Sequence, residues 1–248
     1  MLYQNYIGGN WIDGHSGATF PTLNPATEEE VGQIAQAEVS DVEVAVSAAS
    51  AAYPAWRNTP APHRGEILYR IGELLKQHKE ALATLLTREM GKVIAEARGD
   101  VQEAIDMAYY MAGEGRRLLG YTAPVELPNK FGMAVRDPLG VCGIITPWNF
   151  PIAVPSWKIF PALIAGNTLV WKPSPETPAT AIEFIKAFEA AGLPPGVVNV
   201  ICAPGVGVGR ALVTHPQVRV ISFTGSTQTG NAIARDAAGK KVSLEMGG

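Results

Sequence analysis

Glu245, Asn149, Lys172 and Ser226 are the residues of this chain whose types and settings could do chemistry. Each follows a short apolar run that reads as a β-strand. Glu245 closes the run from Val242 and precedes Met246-Gly247-Gly248. A carboxylate there serves as a general base if it is partly desolvated, because burial raises its pKa; otherwise it is a strand-end charge. Lys172 follows Leu169-Val170-Trp171 and precedes Pro173-Ser174. It is either a solvated charge or a donor to ribose hydroxyls or a phosphate. In Phe223-Thr224-Gly225-Ser226-Thr227-Gln228-Thr229-Gly230 a strand ends, Gly225 permits a tight turn, and Ser226 and Thr227 can cap a helix. The free N–H groups of such a helix start attract a pyrophosphate; plain capping is the other reading. Asn149 is a side-chain amide between Trp148 and Phe150. It lies just past the run Val141–Ile145, which Thr146-Pro147 ends because proline cannot donate into a sheet ladder.

Two other features carry less. Gly205-Val206-Gly207-Val208-Gly209 looks like a dinucleotide fingerprint, but Arg210 stands where G-x-G-x-x-G needs glycine or alanine. It reads equally as a flexible strand–helix turn. Cys142 and Cys202 sit inside apolar runs and read as small buried hydrophobes. Two cysteines make neither a disulfide framework nor a zinc site, and no metal centre is expected.

The elements that must position these residues form a regular series. Strands are expected at Val141–Ile145, Thr168–Trp171, Val197–Cys202, Val218–Phe223 and Val242–Glu245, with helices near Val154–Ala165, Pro178–Ala191, Val208–Thr214 and Thr227–Ala238. Gly166, Gly192 and Gly239 stand where helices should end. Such alternation predicts an open, Rossmann-like parallel sheet with helices on its faces, an α/β fold. Right-handed crossovers then bring all strand C-termini to one edge, so that Asn149, Lys172, Gly205, Ser226 and Glu245 converge.

Before the series comes a β-hairpin and helical portion. Gly8-Gly9-Asn10 separates Tyr6-Ile7 from Trp11-Ile12 as a hairpin turn would, and Glu30 to Ala35 reads as another short strand. Ser40 to Trp56 is expected to be helical, with Ser40 as N-cap and Glu43 closing a capping box. Gly65 to Met90 reads as one long amphipathic helix and Val93 to Leu119 as another; no chemistry is expected in either. Phe131 to Arg136 alternates weakly and reads as an extended arm or edge strand.

Composition narrows the function. The chain has 248 residues, a formal net charge of −3 and 17% charged residues, with no basic stripe of the kind nucleic-acid binders carry. No apolar run approaches the ~18 residues of a membrane span, and the polar Gln4 and Asn5 interrupt any signal peptide. A soluble, cytoplasmic protein without nucleic-acid or membrane partners is expected.

Taken together, Pro147-Trp148-Asn149-Phe150-Pro151, Trp171-Lys172-Pro173-Ser174, Phe223 to Gly230 and Leu244-Glu245-Met246-Gly247-Gly248 resemble the motifs of the aldehyde dehydrogenase superfamily, in order and at suitable spacing along the whole chain. The resemblance implies oxidation of an aldehyde to an acid. A cysteine thiolate attacks, hydride passes to NAD or NADP, and water releases the acid. It makes Asn149 the amide that holds the thiohemiacetal oxyanion and Glu245 the general base for the hydrolytic water. It gives Lys172 to the adenosine ribose, Gly205 and Gly209 to the adenine side, and Ser226 to the pyrophosphate. Further cofactor contacts are implied for Ile145, Thr146, Pro147, Trp148, Ser174, Phe223, Gly225, Thr229 and Met246, and a substrate tunnel for Phe150, Val154 and Trp157. The whole chain, 1–248, is then a cofactor-binding domain. It comprises hairpins and helices over 1–126, part of an oligomerisation arm over 127–138 (hence a homo-oligomer), and nucleotide-binding units over 139–248.

The sequence departs from that pattern twice. Many NAD-dependent members carry a glutamate three residues after the lysine; here that position is Pro175, and Glu176 follows. Displacing a carboxylate that would repel a 2′-phosphate makes NADP acceptable beside NAD. The family's nucleophilic cysteine lies a few dozen residues beyond the glutamate, and neither Cys142 nor Cys202 matches it. The expectation is a chain truncated before its nucleophile, without the catalytic domain, and similar to semialdehyde dehydrogenases. The alternative is a non-catalytic nucleotide-binding module or subunit.

Overall fold

The computed structural model describes residues 1–247. In chain order its elements are β1 (Leu2–Tyr3), β2 (Asn5–Ile7), β3 (Asn10–Ile12), β4 (Thr19–Leu23), β5 (Glu30–Ala35), α1 (Val39–Asn58), α2 (Ala61–Gln77), α3 (Lys79–Met90) and α4 (Ile94–Glu114). These lead to β6 (Tyr121–Ala123), β7 (Gly132–Ala134), β8 (Val141–Ile145), α5 (Ala153–Ile164), β9 (Thr168–Lys172), α6 (Pro178–Ala190), β10 (Val198–Val200), α7 (Gly207–Thr214), β11 (Val218–Gly225), α8 (Thr227–Asp236) and β12 (Lys241–Met246).

One seven-stranded sheet, in the order β12-β11-β8-β9-β10-β2-β3, organises the molecule. The five strands of the αβ series pair in parallel, so the fold is the expected α/β, Rossmann-like one. The N-terminal hairpin of β2 and β3 does more than lie against the body. It extends the sheet antiparallel to β10, and Asn5 locks it there by accepting from the Cys202 N–H at 2.7 Å.

Period-two alternation assigns side chains to opposite faces of the sheet. Cys142, Ile144, Leu169 and Trp171 point into the layer formed with α2 to α6. Val141, Ile145, Val170 and Ile221 point into the layer with α1, α7 and α8. A register shift between Val218 and Val220 lets Val218 and Ile221 share that second face.

Three local expectations are corrected. Helix α1 begins at Val39 after Glu38, not after Ser40, and Asp41 rather than Glu43 closes it: the Asp41 Oδ2 accepts from the Glu38 N–H at 2.7 Å. The same Asp41 oxygen also accepts from the His15 N–H at 3.2 Å, tying α1 to the preceding turn. The long helix from Gly65 to Met90 is two helices. His78, with φ −97° and ψ 9°, ends α2 and starts α3, which lets α3 turn against α4 and α6. The third helix stops at Glu114, five residues short of Leu119. Within the segment expected to be extended, Gly132–Ala134 is strand β7, paired antiparallel with β6 as a hairpin.

Candidate functional site

The chain runs outward from β8 through β9 to β10, then returns to the other side of β8 with β11 and β12. Loops leaving the C-terminal ends of β8 and β11 therefore diverge, and a crevice opens between them. Pro147, Trp148 and Asn149 face Thr224, Gly225, Ser226 and Glu245–Gly247 across a cleft of about 420 Å³. A second cleft, about 490 Å³, lies between α7 and α8 and is walled by Ile145, Lys172, Gly205, Gly209 and Thr229. A third, about 870 Å³, runs past Ser174, Pro175 and Glu176. Trp148 lines the first and third, and Gly205 the second and third, so the three are successive stretches of one sheet edge.

Some sequence-predicted residues lie off these walls. Thr146 is buried, and its hydroxyl accepts from the Trp171 indole N–H at 2.9 Å. Phe223 is buried beneath Gly225, where a Cβ would stand 2.5 Å from the Phe223 ring; only glycine fits that turn. Val154 is buried on α5, while Phe150 and Trp157 are partly exposed on its outer side.

Lys172 is not the solvated charge that was one of its readings. It is 6% exposed, and desolvation holds its ammonium below the usual lysine range. Its neighbour Gly209 leaves the cleft open: a Cβ there would sit 3.6 Å from the Lys172 side chain and 3.9 Å from Ile145. Ser226 caps α8, its Oγ accepting from the Thr229 N–H at 3.2 Å. The α8 start thus leaves its remaining first-turn N–H groups without intrahelical partners, beside the first cleft that Ser226 lines. A glycine-floored cleft with a buried ammonium, next to a helix N-terminus, fits a dinucleotide's ribose and phosphates.

Glu245 leaves the end of β12 with its side chain 59% exposed. The Thr224 hydroxyl donates to its Oε2 at 3.1 Å, and Lys158 Nζ approaches its Oε1 at 3.4 Å. Lys158 is buried on α5; burial lowers its pKa, opposed by the Glu245 charge. Sequence reading missed Lys158, although its place four residues after Val154 on an otherwise apolar helix was a signal.

It also missed the contribution of the helical portion. Lys92 and Asp100, in the region expected to hold no chemistry, form a buried ion pair at 2.9 Å. Lys92 Nζ also donates to the Asn149 carbonyl at 2.7 Å. Glu89 accepts from the Ala179 and Thr180 N–H groups, both at 2.7 Å, and so caps α6. No nucleophile accompanies these groups among the described residues. Cys142 and Cys202 are buried, and desolvation pushes both thiols up to about 12.

The model of the aldehyde dehydrogenase family matches residues 11–248. The chain belongs to the aldehyde dehydrogenase family. It is 43% identical over 249 residues to an α-ketoglutaric semialdehyde dehydrogenase of Bacillus subtilis, covering 99% of this chain and 51% of that one. A crystal structure of an Escherichia coli NADP-dependent enzyme is similar at 39% identity and a TM-score of 0.97, over 100% of this chain and 52% of the other. Betaine aldehyde dehydrogenase of Staphylococcus aureus, solved with NAD+, is similar at 35% identity and a TM-score of 0.97, over 99% and 50%. This aldehyde dehydrogenase chain thus spans about half the length of the curated relatives it matches. Among its described residues no helix is long and apolar enough to cross a membrane.

Proposed function

We propose that this chain forms the cofactor-binding part of an NAD(P)+-dependent aldehyde dehydrogenase acting on a semialdehyde, and that Asn149 and Glu245 are its contributions to catalysis. The observation that carries the reading is their shared cleft at the point where strand order reverses. The dinucleotide, when bound, supplies the hydride acceptor. Lys172, Ser174, Gly205 and Gly209 would hold its adenosine side, and Gly225, Ser226 and Thr229 its pyrophosphate, beside Ile145, Pro147, Trp148 and Met246. Asn149 donates its side-chain N–H to the oxyanion that develops on the aldehyde oxygen, where a preorganised donor is worth most. Glu245 takes a proton from the hydrolytic water; the Thr224 hydroxyl and the Lys158 ammonium hold its carboxylate in place. Phe150 and Trp157 present apolar surface for the aldehyde.

The thiolate is neither Cys142 nor Cys202, since both are buried and hard to ionise; the reaction so read takes it from outside residues 1–247. That same observation favours a second reading, a nucleotide-binding module without turnover. The semialdehyde lean follows the name of the Bacillus subtilis relative. Pro175 and the exposed Glu176 leave room for a 2′-phosphate, so both NAD and NADP are accepted. The hairpin of β6 and β7 exposes Tyr121, Phe131 and Met133, and we read it as the arm of a homo-oligomer.

The test is formation of reduced nicotinamide by the native protein with α-ketoglutaric semialdehyde and either dinucleotide. Turnover that falls about 10²–10³-fold in Asn149→Ala, at unchanged dinucleotide Kd, supports the reading. Dinucleotide binding without turnover selects the module.

A further inference from the structure

The loop that carries Asn149 is held by a device built elsewhere in the chain. Gly91, at φ 88°, ends α3 in a left-handed turn and delivers Lys92 inward. The Lys92 ammonium meets three partners: Asp100 Oδ2 at 2.9 Å, the Asn149 carbonyl at 2.7 Å, and the face of Phe150 with its centroid at 4.0 Å. The other oxygen of Asp100 accepts from the Ile152 N–H at 3.3 Å and the Ala153 N–H at 2.6 Å. Helix α5 starts after Ile152, which has no side-chain acceptor to cap it. Asp100 supplies that cap from α4, with a negative charge at the positive end of the helix.

Two charges buried this deeply, at 5% and 0% side-chain exposure, are a weak source of stability compared with apolar packing. What they do accomplish is geometric. One pair fixes the backbone from Asn149 to Ala153 and leaves the Asn149 amide out over the cleft. The same pair sets the start of α5, which carries Lys158 to Glu245.

We propose that Lys92 and Asp100 are positioning residues that aim the Asn149 amide at the reacting carbonyl. This rests on the reading of Asn149 as oxyanion donor. In it, the helical N-terminal portion is part of the catalytic machinery, although it contributes no group that touches substrate.

The test combines amide hydrogen exchange with a mutant cycle in the native protein. Lys92→Met with Asp100→Asn removes both charges together, so no unpaired carboxylate stays buried. We expect exchange at Asn149–Ala153 to rise about tenfold or more, while β8 and β9 exchange as before. Turnover should fall about tenfold or more with NADH Kd within about twofold. Added to Asn149→Ala, the pair of changes should cost less than about twofold more. Lys92→Arg keeps the charge but displaces the donor, and should lower kcat about threefold at unchanged Kd. Unaltered exchange at Asn149–Ala153 overturns the proposal, as does full turnover in Lys92→Arg or an effect that simply multiplies with Asn149→Ala. If Asn149→Ala by itself leaves turnover intact, the oxyanion reading fails instead, and exchange alone then decides whether the pair holds the loop.

Discussion

Burial sets the character of each polar group in this chain, and it sorts residues that look alike in sequence. Lys172 and Lys158 both lose solvent and have lowered pKa values. Only Lys158 has a carboxylate to compensate it. Lys172 leans on a weak bond to the Pro173 carbonyl at 3.4 Å, so a ligand oxygen would improve its lot. The cysteines show the opposite sign. Burial pushes both thiols up to about 12, above their ordinary range, so the folded state binds more protons between those values. Stability from these thiols is therefore present below pH 9 and lost as pH rises toward 12. Two outcomes are expected: a thiol reagent at about pH 8 titrates neither Cys142 nor Cys202 until denaturant is added, and the urea midpoint falls as pH climbs above about 9. Rapid labelling of a native thiol would show that one of them reaches solvent.

At the scale of elements, two helix starts along this sheet edge are fixed by partners distant in sequence. Glu89 caps α6, Asp100 caps α5, and only α8 is capped from within, by Ser226. Helix α7 differs because its glycines form the floor of a cleft. Gly209 faces Lys172 and Ile145, so Gly209→Leu would send a side chain into the space assigned to the adenosine. We expect NADH affinity to fall about tenfold or more, read by nicotinamide fluorescence, with thermal stability lowered little because glycine costs a helix roughly 0.8–1.0 kcal/mol relative to alanine and leucine ranks just below alanine. Unchanged affinity would move the adenosine to another part of the edge.

At the scale of the molecule, the sheet divides two apolar layers, and two features reach beyond them. Edge strand β12 has only β11 beside it, and the hairpin of β6 and β7 stands off the body. Its exposed Leu127, Phe131, Met133 and Val135, each more than 60% accessible, make an apolar ribbon of the kind that marks an interface. Phe131→Asp with Met133→Asp should shift the native protein to smaller species in sedimentation velocity while the circular dichroism of the body is retained. An unaltered sedimentation coefficient would overturn the reading of this hairpin as the arm of a homo-oligomer.

The amino-acid sequence by itself determined the αβ series, its parallel sense and the edge where Asn149, Lys172, Ser226 and Glu245 gather, because period-two and period-3.6 patterns and helix-ending glycines such as Gly166 and Gly192 are local signals. It also marked Gly209 and Gly225, and at Gly225 the Phe223 ring excludes a larger side chain. Only the tertiary structure decided what surrounds those residues. Lys92 and Asp100 give no signal of their role, since nothing near them in sequence tells which carbonyl or helix start they meet 57 and 52–53 residues later. Lys172 could be read as solvated until α7 and α8 closed over it. The break at His78 and the cap at Glu38 were invisible for the same reason: helix length and capping bend to packing when two local choices differ by less than the burial they permit.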